Sequence, residues 1–204
     1  MKSKLAFTCI FFLLSSATFG QNSATTSMNE KLPYEEIGAS PETYTAATVA
    51  ARMIDGLGYR YYWSSEGLRE EDLDFKPSDD ARSMRETMVH LYGLSGTILN
   101  ASKNVANIRP MENVPENFAD MRAATLKNLA EASSILKNNP EKALSELKII
   151  FKRGENSSEF PYWNMINGPI ADAIYHTGQI VSFRRSAGNP MNPKVNVFMG
   201  KNRP

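Results

Sequence analysis

Four stretches of this chain place apolar side chains at three- and four-residue intervals, and a helix-stopping residue closes each one. The first runs from Pro41-Glu42-Thr43 to about Glu66, with Ala47, Ala50, Ile54, Leu57 and Tyr61 on one side and Gly67 as its stop. The second opens at Ser83-Met84-Arg85-Glu86, a capping-box sequence. It carries Met84, Met88, Leu91 and Ile98 and fades around Asn104. The third runs from about Glu116 to Lys137, with Phe118, Met121, Leu126, Leu129 and Ile135 on its apolar side and Asn138-Asn139-Pro140 after it. The fourth begins at Asn167-Gly168-Pro169, with Pro at the first helical position, and ends at Gly188-Asn189-Pro190.

An amphipathic helix can bury its apolar face only against another element. Four of them with one core predict an all-α fold, a four-helix bundle of up-down type spanning residues 41–190. Glu141 to Leu147 reads as a short extra helical piece. The connection at 148–163 reads as long and irregular, with a hairpin around Arg153-Gly154-Glu155-Asn156. Tyr59, Tyr61, Tyr62 and Trp63 read first as core packing, with a ligand cage as the alternative.

The N-terminus has a different logic. Met1-Lys2-Ser3-Lys4 is positive, Leu5 to Leu14 is apolar, and Ser15 to Gly20 is mostly small. That order describes a cleavable secretory signal over residues 1–20, cut before Gln21. The apolar run is too short for a bilayer, which needs about 20 residues. Cleavage removes Cys9, the only cysteine, so no disulfide or thiolate chemistry is expected in the exported product. A flexible leader (21–40) and a basic tail (191–204) flank the domain. The formal net charge of +1 gives no reason to expect nucleic-acid binding. No second apolar stretch suggests a membrane anchor after cleavage.

Chemistry concentrates in the last helix. From Phe160 to Phe183 the only charged residue is Asp172, so the segment is expected to be buried on most sides and Asp172 to need a partner. His176 stands one helical turn on, at i+4, on the same face. The other of the two histidines, His90, lies mid-way along the second helix at the edge of its apolar stripe. Spacing alone leaves two readings open: a metal site, or a hydrogen-bonded pair with a separate structural histidine. Gln179, Tyr175, Trp163 and Asn164 are near enough in sequence to line the same pocket, or to serve packing alone.

Two segments carry a resemblance. Ser83 to Leu99 (Ser-Met-Arg-Glu-Thr-Met-Val-His-Leu-Tyr-Gly-Leu-Ser-Gly-Thr-Ile-Leu) resembles the second helix of DinB-like proteins, with its mid-helix histidine. Asp172-Ala-Ile-Tyr-His176-Thr-Gly-Gln179 resembles that family's fourth-helix signature, two histidines four apart followed by Gly-Gln. The resemblance covers residues 41–190. It implies a four-helix bundle holding a divalent metal, with His90 and His176 as ligands and Asp172 at the position of a third histidine. Either Asp172 is itself a ligand, giving a two-His, one-carboxylate set suited to Zn, Ni, Mn or Fe, or it merely orients His176 beside an empty site. The implied activity is that of a metal-dependent hydrolase or transferase acting on a small molecule. The alternatives are a non-catalytic bundle binding metal or a small ligand, and a structural bundle with a vestigial site. The expected partners are a small-molecule substrate or ligand and, as an open alternative, a second copy of the chain. The expected location is outside the cytoplasm, periplasmic or secreted.

Overall fold

The computed structural model describes residues 31–204. The expected signal peptide, its expected cut before Gln21, Cys9 and the first half of the leader lie outside the described residues. Four long helices are present, at α1 (Ala46–Ser65), α2 (Met84–Lys103), α3 (Phe118–Lys137) and α5 (Ala171–Ser186). Each long helix packs against two others, α1 and α2 both lying between α3 and α5. The lines read from periodicity form the core: Ala47, Ala50, Ile54, Leu57 and Tyr61 of α1, Met84, Met88, Leu91 and Ile98 of α2, and Met121, Leu126 and Leu129 of α3 are all buried.

The all-α expectation is overturned. A three-stranded mixed sheet accompanies the helices, so the protein is a helical bundle with a sheet attached. Its strands are β1 (Ala106–Ile108), β2 (Lys148–Arg153) and β3 (Asn156–Pro161). The hairpin expected around Arg153-Gly154-Glu155-Asn156 is present, and the flanks read as irregular are its two strands, pairing Arg153 with Asn156 and Lys148 with Pro161. Gly154, at φ +57°, supplies the positive φ that a two-residue hairpin loop needs at its first position. β1 joins β2 in parallel, Ala106 opposite Ile150 and Ile108 opposite Lys152.

Polar contacts between distant segments tie the sheet to the end of α2. Asn104 caps α2 in the left-handed conformation, at φ 57°, and turns the chain back along the helix end. Its side-chain oxygen accepts the Lys148 backbone N–H at 3.1 Å, and Asn107 donates to the Ile150 carbonyl at 2.9 Å. Polar pairing of this kind leaves no apolar periodicity, and β3 is exposed along its whole length.

Helix ends follow the capping signals. Ser83 accepts from Glu86 N–H at 3.1 Å while Glu86 accepts from Ser83 N–H at 2.7 Å. The start of the last helix is more elaborate than its sequence suggests. A single turn, α4 (Trp163–Met165), leads into a π-helical turn (Ile166–Ile170) in which Gly168 leaves helical geometry, and Pro169 lies inside that turn. At the far end Asn189 N–H reaches the Arg184 carbonyl at 2.8 Å across Gly188, at φ +76°.

The described part of the leader and the tail both lie on α1. Tyr34 stacks on Gly58, where a Cβ would come within 2.4 Å of its ring, and its hydroxyl donates to Asp55 at 3.2 Å. Trp63 donates to the Glu35 carbonyl at 3.0 Å, and Tyr59 donates to Asn202 at 2.9 Å. Ile37 N–H meets the Gly200 carbonyl at 2.7 Å. The aromatic cluster of α1 therefore acts in packing and in holding the two chain ends.

A buried polar knot closes the end of α1. Asp72 accepts from Arg69 N–H at 2.8 Å, from Arg69 Nε at 3.1 Å and from Asn189 Nδ2 at 2.6 Å. The Arg69 guanidinium beside it, helped by the Arg69 and Asn189 N–H donors, holds its carboxyl well below the usual carboxylate range despite burial. A depressed folded-state pKa gives stability that is complete above the ordinary aspartate value of about 3.9 and is lost as pH falls toward the lower value. Urea midpoints should therefore fall steeply below about pH 4, and Asp72→Asn should flatten that limb. Equal acid slopes for the two proteins would contradict this role for Asp72.

Candidate metal centre

His90, Asp172 and His176 come together between α2 and α5. Each offers a ligand atom, and the three atoms lie within 4.8 Å of one another. His90 Nε2 is 3.1 Å from Asp172 Oδ2, and His176 Nε2 is 3.2 Å from Asp172 Oδ1. The two imidazoles meet edge to face, with centroids 4.5 Å apart. The i+4 spacing delivers Asp172 and His176 from one face of α5, and the packing of α5 on α2 delivers His90.

One expectation about this helix fails. α5 and its approach are not buried on most sides: Trp163 is 74 % exposed and Tyr175 is 66 % exposed. The Asp172 side chain is itself 42 % exposed. The long uncharged stretch misled because Ala, Gly, Thr, Ser and Gln carry no charge and yet tolerate solvent. Asp172 thus has its two histidine partners without being forced on them by burial, and the site opens outward.

Gln179 matters more than its neighbours. Its amide oxygen lies 2.7 Å from His176 Nδ1, an arrangement that suits a proton on that nitrogen and a lone pair on Nε2. That Nε2 faces a carboxylate oxygen at 3.2 Å, and a lone pair there would make both atoms acceptors. Two acceptors at that distance repel unless a cation, either a proton or a metal ion, sits between them. The two histidine nitrogens approach different oxygens of the one carboxylate, Oδ2 and Oδ1, so the carboxylate bridges the two rings. The donor set fits a divalent metal. Burial lowers the pKa of His90, the strongest of several influences, so it keeps its neutral ligand form further into acid than a free histidine.

Tyr175 touches the His176 ring edge to face, 5.3 Å between centroids, while Trp163 and Asn164 point outward. Arg82 and Arg109 line the groove that runs past His90, and nothing in the sequence singled them out. Arg109 sits in a connection with no periodicity, so only the tertiary fold brings it there. Comparison of the chain with protein-family models finds no match, and comparison with curated proteins finds none.

Proposed function

We propose that this is an exported protein that holds one divalent metal ion through His90, Asp172 and His176, and that acts as a metal-dependent hydrolase or transferase on a small molecule. The observation that carries the reading is the convergence of one ligand atom each from His90, Asp172 and His176, with Gln179 against the other ring nitrogen of His176. Kinship with DinB-like proteins is supported by the same residues, one histidine from the second long helix and the acidic and histidine pair from the last. A bound metal supplies Lewis acidity and a water acidic enough to ionise near neutral pH. The chain's own part is to orient His176 through Gln179, to keep His90 neutral, and to leave the solvent side of Asp172 open to a ligand.

Titration of the purified protein with Co(II), followed by its visible spectrum, tests the centre. Saturation at one ion per chain is expected, together with hydrolysis or group transfer on a panel of small esters and amides. Saturation without turnover on any substrate class would leave a binding bundle. Absence of saturable binding would end the metal reading.

Gln179→Leu removes the acceptor at Nδ1. It should weaken metal affinity by roughly 10–100-fold with little change in fold. The measurement is competition against a chelator of known affinity, and an unchanged value would mean that Gln179 is only packing.

A further inference from the structure

The groove beside the triad carries more positive charge than a metal centre requires. Arg82, Glu86, His90, Gly93, Arg109 and Met111 line an open space of about 420 Å³, a size suited to a small ligand. Met111 packs closely on Gly93, where a Cβ would meet its Sδ at 2.9 Å. The one acid lining it, Glu86, is committed to the Ser83 N–H at 2.7 Å. Arg109 is half-buried, lies 5.7 Å over the Phe151 ring and donates to Thr97 Oγ1 at 3.1 Å. Arg109 has no ion pair with a carboxylate among the described residues, and Arg82, exposed at the mouth, has only the Glu86 carboxylate near it. A guanidinium partly withdrawn from water and held by neutral groups alone is stabilised strongly by an incoming anion.

We infer that this groove takes the anionic group of the substrate, a small molecule bearing a carboxylate or a phosphate, which Arg109 and Arg82 hold beside His90. The anion subsite stands on the groove itself; its service to a reaction rests on the metal centre proposed above. Arg109 supplies a planar fork suited to either oxyanion, and Arg82 adds charge at the entrance.

The test is an NMR titration of the purified protein, without added metal, with inorganic phosphate and separately with succinate. Saturable shifts are expected at the Arg109 Nε–H and the Gly93 amide with at least one of the two. Response to phosphate alone assigns a phosphate ester, and response to succinate alone assigns a carboxylate. Arg109→Gln should weaken binding roughly tenfold or more, the worth of one charge-assisted pair. Arg82→Gln should give a smaller loss, and it decides the matter if the Arg109 variant does not fold. No saturable shift with either anion, or unchanged affinity in both variants, overturns the proposal. Repeating the titration with zinc separates the two readings: anion binding without zinc binding removes the metal centre and keeps the subsite, and the converse does the opposite.

Discussion

His176→Ala should bind no stoichiometric divalent metal, and His90→Ala should fail in the same way. Each change removes one of three proposed ligands from a set whose atoms lie within 4.8 Å of one another. Loss of an outer-shell partner already costs about 10–100-fold in affinity, so loss of a ligand should cost more than roughly a hundredfold. Asp172 gives the more instructive series. Asp172→Ala should weaken binding sharply and leave two histidines facing each other. Asp172→His should restore a three-nitrogen set and keep or strengthen affinity for Zn(II) or Ni(II). Affinity of the wild-type protein should fall in acid as protons compete for the ligands, with His90 titrating below its ordinary value because it is partly buried. Metal content after purification and calorimetric titration measure all of these. If Asp172→Ala retains full metal content, the carboxylate is no ligand and the centre as described does not exist.

Arg184→Met should be the most destabilising single change outside the core. Arg184 is only 2 % exposed, and its guanidinium reaches from α5 to the open end of α1. It donates to the carbonyls of Ser64 at 2.8 Å, Glu66 at 2.9 Å and Trp63 at 3.3 Å, and to Asn189 O at 2.6 Å. Helix α1 has no basic residue in its own last turn, so this distant arginine serves its terminal carbonyls. Burial lowers the Arg184 pKa, but an arginine stays charged at any ordinary pH. Removing it leaves several carbonyls without a donor, each worth about 1–3 kcal/mol when buried, and a total loss of about 3–5 kcal/mol is expected. That corresponds to a fall in melting temperature of roughly 10 °C. Arg185→Met, one residue on and exposed, should change stability by no more than about 0.5 kcal/mol. Denaturant unfolding of the two variants side by side makes the comparison, and similar midpoints would refute the bracing role.

The four long helices were legible because periodicity and capping are local. Ser83 with Glu86, and the runs from Ala47 to Tyr61 and from Met84 to Ile98, act within a few residues of themselves. The candidate triad was legible in part for the same reason, since Asp172 and His176 share a helix face at i+4. That His90 meets them is a matter of which helix packs against α5, and Gln179 became a partner of His176 only through its rotamer. Of the sheet, only the hairpin turn was legible. β1 is three residues long and pairs with β2 from tens of residues away in sequence, and β3 is exposed throughout. The same holds for Arg184 and Arg109: a lone arginine carries no periodic signal, and its neighbours come from distant segments. The sequence by itself determined the helices, because hydrogen bonding and side-chain spacing within a helix involve near neighbours. Only the tertiary structure decided the added strands, the buried arginine and the basic groove beside His90, because those depend on partners that the chain meets only when it is folded.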